Sequence, residues 1–276
     1  MEKHGLISKI LASTKYVSKI SIKINKFLIV PNFCLVATLI GTEGFINSSI
    51  CLFDECEVQR GTHEYKFCFP LPQNLPYSLK ILFDARISYY VKAELVIPMW
   101  LNETSQVDFE IVRFDDLNLY PELKEPMMFS RTKIFSSLFT DHKPLFMIVT
   151  IPCRGFAINQ FAHIVINYIN DSHIDIVGTL IRLIKLTIYT FPRAGNPKTN
   201  TYEEVILETE AEGVAAKSSK NIKSGITIPK VMTSNDKFCD VITIRYVIEV
   251  IARTNWMHTN EKIRLPITIG DAPLRV

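Results

Sequence analysis

The sequence predicts an all-β protein built as two β-sandwich domains in tandem. Many short segments alternate apolar and polar residues, turn residues separate them at short intervals, and few segments show a helical period. A looser stretch at residues 121–143, with prolines and serines, divides these segments into two groups. The chain of 276 residues is long enough for two ordinary domains with substantial cores.

The clearest strand of the first half lies at residues 87–95. Five apolar side chains share one of its faces: Ile87, Tyr89, Val91, Ala93 and Leu95. Ser88, Tyr90, Lys92 and Glu94 fall on the other face, which is typical of a half-buried strand. The strand predicted at residues 65–69 ends at Pro70, because proline cannot donate a hydrogen bond to a sheet.

The spacing of apolar residues also predicts the remaining elements of the first half. Residues 1–17 place lysines and apolar residues three to four apart, which predicts an N-terminal extension that is helical or frayed. Residues 50–58 and 65–69 predict a hairpin with Gly61 in its loop. Further strands are predicted at residues 20–26, 34–40 and 107–114.

The second half of the chain shows the same succession of short apolar segments and turn residues. Strands are predicted at residues 145–151, 163–169, 174–191, 242–251 and 263–269. The segment 174–191 could be drawn on a helix, but its β-branched residues and Pro192 favour a strand. Residues 211–225 predict a polar loop. The predicted boundaries are 1–17 for the extension, 18–125 for the first sandwich, 126–143 for a linker and 144–276 for the second sandwich.

Composition narrows the function classes. A formal net charge of +3 gives no strong field for nucleic acid and no polybasic membrane patch. The six cysteines indicate reduced thiols rather than a disulfide scaffold. Four residues have the residue types and spacing of a possible zinc site: Cys51, Cys56, His63 and Cys68. Cys51 and Cys56 differ in parity and would project from opposite strand faces, so no metal is predicted.

A secreted form is the main alternative. The apolar run at residues 27–40 is too short to span a bilayer, is broken by Pro31 and lacks a cleavage pattern after it. Secretion would make three asparagines glycan acceptors: Asn47, Asn102 and Asn170.

No catalytic or cofactor motif occurs in the sequence, so neither an enzyme nor a cofactor is predicted. Arg154 could lower the pKa of Cys153, but this cysteine sits in a predicted turn. Four residues bracket another turn and could in principle bind a metal, although turn formation explains them: His163, Asp171, His173 and Asp175.

Three lysines of the predicted loop are the candidate partner-binding residues: Lys217, Lys220 and Lys223. An acidic or phosphorylated tail, or a lipid head group, is the ligand that such a group would take. The alternative is a solvated loop whose charge serves solubility.

Two sets of motifs carry a family resemblance. In the first half, FCFPLPQNLPYS precedes a tyrosine-rich strand that ends in VKAEL. In the second half, IPCRGFAINQ follows an opening strand, and the chain closes with PITIGDAPL. These motifs, over about residues 20–274, resemble the arrestin family, in particular its alpha-arrestin (arrestin domain-containing) branch. The resemblance implies two immunoglobulin-like, arrestin-like sandwiches.

Three departures limit what the resemblance implies. No Gly-Glu pair precedes residues 20–26, so the first strand of the first sandwich is predicted to be missing or replaced by residues 1–17. Val112 stands where the beta-arrestin branch has a switch arginine, and residues 211–225 offer Glu212 but no aspartate, so phosphate-triggered release is not expected. Without a Pro-Pro pair there is no PPxY motif, so any link to ubiquitin-ligase machinery is indirect.

The resemblance implies a non-enzymatic cytoplasmic adaptor. It would bind cytoplasmic tails or loops of membrane proteins in protein transport, endocytic trafficking or signalling, with peripheral contact at the plasma membrane or endosomes as an option. Two alternatives stay open: a secreted or lumenal glycosylated β-sandwich binding module, and a divergent paralogue that folds poorly because its opening strand is absent.

Overall fold

The all-β prediction is confirmed in the computed structural model of the chain. The structure describes residues 16–24, 28–30, 32–38, 47–53, 56–58, 61–69, 71–72, 75–81, 86–96, 102–135, 143–191, 198–235, 239–255 and 258–275. The chain divides into two compact units, Met1–Arg113 and Phe114–Val276. Residues 1–15 of the predicted extension lie outside the described residues.

Ten described strands form the first unit. They are β1 (Tyr16–Ile24), β2 (Leu28–Val30), β3 (Asn32–Thr38), β4 (Asn47–Phe53), β5 (Cys56–Val58), β6 (Gly61–Phe69), β7 (Leu79–Lys80), β8 (Arg86–Ile87), β9 (Tyr89–Val96) and β10 (Glu103–Phe109). The largest described sheet of this unit has the order β10-β9-β3-β4, and β1 pairs with β6.

The strand predicted at residues 87–95 is confirmed as β8 and β9. Its predicted inward side chains are all buried: Ile87, Tyr89, Val91, Ala93 and Leu95. The Tyr89 hydroxyl donates a 2.6 Å hydrogen bond to the carbonyl of Pro76, so the proline-rich segment supplies the acceptor that this buried phenol requires.

Two predictions in this unit are wrong. The hairpin predicted over residues 50–69 is not formed by those strands, because β6 pairs along its whole length with β1 while β4 pairs with β3. The strand predicted at residues 107–114 ends at Phe109, where the pairing with β9 ends. Ile111 then donates its backbone N–H to the Ser78 hydroxyl at 2.8 Å instead.

Nine described strands and two 3₁₀ helices form the second unit. The 3₁₀ helices are Leu117–Leu119 and Pro121–Lys124. The strands are β11 (Met127–Ile134), β12 (Pro144–Ile151), β13 (Gly155–Ala157), β14 (Phe161–Asn170), β15 (Gly178–Phe191), β16 (Lys198–Ala211), β17 (Ser218–Thr227), β18 (Ile242–Arg253) and β19 (Glu261–Gly270). They make a four-stranded sheet, β11-β12-β14-β17, and a five-stranded sheet, β13-β19-β18-β15-β16.

The core of the second unit comes from the inward face of each sheet. Leu145, Met147 and Val149 of β12 are fully buried, as are Ile244, Ile248 and other alternate residues of β18. Strand pairing identifies the inward face of the five-stranded sheet. Ile248 lies opposite Leu183 of β15 and Leu265 of β19, and both of these are also fully buried. The strands predicted at 174–191 and 242–251 are therefore confirmed.

The structure corrects two irregular segments of the sequence interpretation. Within the predicted linker 126–143, Met127–Ile134 is an edge strand paired with β12, so this stretch belongs to the second unit. Within the predicted loop 211–225, the strand β17 starts at Ser218 and pairs with β14 over its whole length. Both are edge strands, which bury few side chains and so show a weak apolar pattern.

Candidate interaction surface

The outward side of the five-stranded sheet carries a network of charged side chains. We call it the charged face, and it consists of Arg182, Glu203, Glu208, Glu249, Lys262 and Arg264. The members lie on four strands, β15, β16, β18 and β19. Arg182, Glu249 and Arg264 each stand between two buried residues of the core. Strand pairing places Arg182, Glu249 and Arg264 side by side in one row.

Glu249 is the centre of the charged face. Its side chain is only 4% exposed, and three cations surround its carboxylate. Arg264 donates from Nε at 2.7 Å, the Lys262 ammonium lies at 3.6 Å and Arg182 Nη1 lies at 3.9 Å. A carboxylate removed from water to this degree requires such partners.

Arg264 of β19 also contacts the edge strand β16, although two strands lie between them. Its Nη1 and Nη2 each donate at 2.8 Å to the carboxylate of Glu203, although β18 and β15 lie between β19 and β16. On a flat sheet β19 and β16 would be ~14 Å apart. The bidentate pair therefore requires a twisted and curved sheet. The register places Val247 and Ile184 between the two groups, and both outward side chains are buried.

Ion pairs run along the edge strand β16 from Glu203 to the residue after the strand. Each glutamate of this stretch has a basic partner: Glu203 with Arg264, Glu204 with Lys185, Glu208 with Arg182, Glu210 with Arg253, and Glu212 with Lys220. The edge therefore offers a partner paired charges rather than free carboxylates.

The pKa shifts follow from these contacts. The hydrogen bonds that Arg264 donates to Glu203 and, to a smaller extent, to Glu249 raise the pKa of Arg264 above its ordinary value. The hydrogen bond from Arg264 lowers the pKa of Glu203 below 4.5, against a smaller opposing effect of desolvation. Both groups are therefore more firmly charged in the folded chain than in the unfolded one.

Acid is expected to weaken the charged face in a way that depends on Arg264. Because the folded pKa of Glu203 is lowered, its contribution to stability is present above about pH 4.5 and is lost as the pH falls through the lowered value. The free energy of unfolding, measured against pH, should fall less steeply below that point in Arg264→Met than in the parent chain. Parallel profiles for the two proteins would contradict this assignment.

The three predicted partner-binding lysines do not form one cluster on a loop. Lys217 alone lies in the turn before β17, whereas Lys220 and Lys223 are strand residues of opposite parity and point to opposite faces. The Lys217 ammonium donates at 2.7 Å to the Asp171 carbonyl, and Lys220 pairs with Glu212 at 2.5 Å. Lys223 is exposed and has no ion pair within the part of the chain that the structure describes.

Glycine substitutions should separate the turn lysine from the strand lysine by the sign of their effect. Lys217 has φ 56°, a left-handed conformation that favours glycine, so Lys217→Gly should leave the free energy of unfolding unchanged or raise it by up to about 1 kcal/mol. Lys223→Gly, in a strand, should lower it by about 1 kcal/mol. Urea unfolding of the two variants measures both values, and equal losses would argue against the turn geometry.

Other residues singled out in the sequence have structural roles. Burial raises the pKa of the Cys153 thiol, against a smaller opposing effect of a backbone hydrogen bond at Gly155, so the suggestion that Arg154 lowers this pKa is wrong. Asp175 accepts a 2.7 Å hydrogen bond from the Ala216 backbone N–H, as a turn residue does.

The described residues form no candidate metal site. Among the described residues, no three His, Cys, Asp or Glu side chains form a group that could hold an ion. The side chains of Cys56, His63 and Cys68 are outside the described residues, and Cys51 is exposed.

One predicted glycan acceptor does not fit the fold. Asn170 is fully buried, and its amide donates to the carbonyls of Ile174 and Ala215 while its oxygen accepts from Ser172. A glycan on Asn170 would disrupt all of these bonds, so its assignment as an acceptor is wrong. Asn102 is exposed, and the side chain of Asn47 lies outside the described residues.

Comparison with known proteins explains the tandem arrangement. The family model described as "Arrestin (or S-antigen), C-terminal domain" matches residues 141–274, and "Arrestin (or S-antigen), N-terminal domain" matches residues 52–118. The two models match in order, one on each compact unit except for a few residues at the boundary. The chain belongs to the arrestin family.

The relatives of this arrestin-family chain lie in the alpha-arrestin branch. Human arrestin domain-containing protein 1 is 25% identical over 230 residues, which are 83% of this chain and 51% of the relative. The proteins of the same name from Rattus norvegicus and Mus musculus are 25% identical over 231 residues, with the same coverage. The chain thus spans about half the length of these relatives. Arrestin-family proteins are in general non-enzymatic adaptors.

Two structural features bear on the expectation that this chain lacks phosphate-triggered release. Val112, at the position predicted to replace the switch arginine, has a side chain that is 74% exposed. Glu212, the acid noted in the predicted loop, pairs with Lys220. The absence of phosphate-triggered release stays a prediction. No helix among the described residues is long and apolar enough to cross a bilayer.

The charged face was not found from the sequence. Each of its inner members, Arg182, Glu249 and Arg264, is a charged residue with an apolar residue on either side, which is the only indication that the sequence gives of this face. The signal does not reveal which strands pair, and Arg264 and Glu203 are 61 positions apart.

Proposed function

We propose that this chain is an arrestin-type adaptor that binds cytoplasmic tails or loops of membrane proteins and acts in their trafficking or signalling. The observation that carries the proposal is the ordered match of both arrestin domain models to one chain. The geometry supports it, because the charged face is a preorganised surface of ion-paired side chains, which suits recognition of a partner. The proposed location is the cytoplasm, at the surface of cargo-bearing membranes.

Within this function, we propose Lys217, Lys220 and Lys223 as contacts for acidic or phosphorylated cargo segments. All three are exposed. Lys223 is the strongest of them, since it carries no ion pair in the described part of the chain. Lys220 would have to exchange Glu212 for a carboxylate or phosphate of the partner.

Proximity labelling in cells tests the adaptor proposal. The full chain, fused to a labelling enzyme, should enrich membrane proteins with cytoplasmic tails. A variant combining Lys217→Asn, Lys220→Gln and Lys223→Gln should lose part of that set, because asparagine tolerates the left-handed turn while the charge is removed. Unchanged labelling by the variant would remove the lysine proposal. A set without membrane proteins would remove the adaptor proposal.

The secreted glycoprotein alternative has one surviving acceptor among the described side chains, Asn102, whose amide donates at 2.8 Å to Glu94. Its test is direct. Glycosidase treatment of the protein made in animal cells should leave its mass unchanged if the adaptor proposal holds, whereas a mass loss that Asn102→Gln abolishes would favour the secreted module.

A further inference from the structure

The outward side of the four-stranded sheet exposes a set of large apolar side chains. Their exposed fractions range from 37% to 69%, and they are Met128, Ile134, Phe146, Phe161 and Ile169. We call this side the apolar face. Its outward positions are 128, 130, 132 and 134 on β11, 146, 148 and 150 on β12, the odd-numbered residues 161–169 on β14, and the odd-numbered residues 219–227 on β17.

Strand register places these side chains on one surface. Phe146 lies opposite both Thr132 and Ile169, and Thr150 lies opposite both Met128 and Val165. Because outward side chains of a sheet all project to the same side, the exposed apolar groups can meet a flat partner together. Several large apolar side chains exposed on one face of a sheet are typical of an interaction site.

Most polar residues of the apolar face are short, and none of them is Asp or Glu. Serines and threonines separate the large apolar side chains, and Asn221 donates a side-chain hydrogen bond to Asn167. The rings of Phe161 and His163 make an edge-to-face contact, with their centroids 4.8 Å apart. Contact with the apolar face therefore does not strip water from an unpaired carboxylate.

The charge of the apolar face has one sign. None of its outward positions is Asp or Glu, and Lys223 projects from it beside Val165. Exposed cations border it at Lys143 and Lys217, against two acids in the loop after β14, Asp171 and Asp175. The balance is cationic.

We propose that the apolar face docks this chain onto an anionic membrane surface. Phenylalanine, isoleucine and methionine side chains would enter the boundary between head groups and acyl chains, while Lys223 and the bordering cations would remain at the level of the head groups. Each lysine near such a surface strengthens binding by about fivefold. The proposal extends the adaptor function to lipid but does not depend on it.

Membrane docking would make the adaptor more effective. A chain held at the bilayer meets cytoplasmic tails at a raised effective concentration, so weak contacts with cargo suffice. The apolar face and the charged face lie on different sheets of the second unit. In the docked state Lys217 and Lys223 would contact head groups, while Lys220 and the charged face would stay available for a protein partner.

Co-sedimentation with vesicles tests the proposal on the full chain. Vesicles of phosphatidylcholine with phosphatidylserine should bind the chain, and vesicles of phosphatidylcholine alone should bind it more weakly. The double variant Phe146→Ser/Ile169→Ser should bind the anionic vesicles at least about tenfold more weakly, since both apolar anchors are lost. Lys223→Gln should weaken binding about fivefold, and added salt should weaken binding by the parent chain.

A matched control lies on the other sheet. Tyr202→Ser/Val205→Ser removes two side chains of β16 with 50% and 52% exposure, and it should bind vesicles like the parent chain. Urea midpoints equal to that of the parent establish that each variant is folded. The proposal is overturned if the Phe146 and Ile169 variant binds as the parent does, if the parent ignores phosphatidylserine, or if the parent forms lipid-independent dimers that this variant abolishes. The vesicles contain no protein, so these failures leave the adaptor proposal standing.

Discussion

Replacing Glu249 by glutamine is expected to lower the free energy of unfolding of the second unit by about 3 kcal/mol. The substitution keeps the shape of the side chain but removes the buried charge that Arg264 and Lys262 face at 2.7 and 3.6 Å. Breaking a buried ion pair from one side is costly because it leaves the remaining charges uncompensated. Urea unfolding gives the magnitude, and hydrogen exchange of β15, β18 and β19 should assign the loss to this sheet.

Two controls sharpen this prediction. Glu204→Gln removes an acid that is 52% exposed and pairs with Lys185 at 3.3 Å, so it should cost less than about 1 kcal/mol. The double variant Glu249→Leu/Arg264→Met should be more stable than Glu249→Gln, because it removes two opposite charges together. If Glu249→Gln and Glu204→Gln cost the same, Glu249 is not the centre of the charged face.

Replacing Gly213 by alanine is expected to destabilise the second unit by about 3 kcal/mol or more. A Cβ at this position would lie 1.8 Å from the Ile176 carbonyl oxygen, a backbone atom that cannot move aside alone. The next residue, Val214, exchanges two backbone hydrogen bonds with Ile176 at 2.9 and 3.0 Å. The clash would therefore separate the chain after β16 from the segment that leads into β15.

Gly178→Ala is the matched control for this substitution. A Cβ there would lie 3.0 Å from Nη2 of Arg253, the far end of a flexible side chain that can shift. We expect a loss below about 1 kcal/mol, measured by the same urea titration. A Gly213→Ala protein as stable as Gly178→Ala would show that the segments around residues 176 and 213 are not packed as described.

The sequence was most informative where one strand face is buried and the other is not. Residues 87–95 and 242–251 were located correctly because period-two alternation appears whenever a sheet separates core from water. In β18 even the outward residues Val247 and Glu249 are buried, yet the β-branched content of the strand kept the prediction correct.

The local sequence pattern did not predict the edge strands or which strands pair. Residues 218–227 resembled a loop because only Ile222 and Ile226 of β17 are buried, and Met127–Ile134 was read as linker for the same reason. The hairpin predicted over residues 50–69 is wrong because strands that follow each other in sequence do not always pair. Strand β6 pairs instead with β1, where Ile20 lies opposite Tyr65, 45 positions further along the chain.

The candidate surface was predictable only in part. Lys217, Lys220 and Lys223 were visible as a charged run, but their separation onto a turn and two faces of a strand depends on where β17 begins. The charged face joins residues far apart in sequence through long side chains, so only the pairing of β15, β16, β18 and β19 brings it together.

We propose that this arrestin-family chain recognises cytoplasmic segments of membrane proteins. Calorimetric titration of the purified full chain with synthetic cytoplasmic tails of the proteins found by proximity labelling tests it most directly. We predict saturable binding that the combined Lys217→Asn, Lys220→Gln and Lys223→Gln variant weakens by about tenfold or more, as expected for the loss of charge-assisted contacts. Absence of binding to every such tail by a chain with an unaltered urea midpoint would contradict the claim.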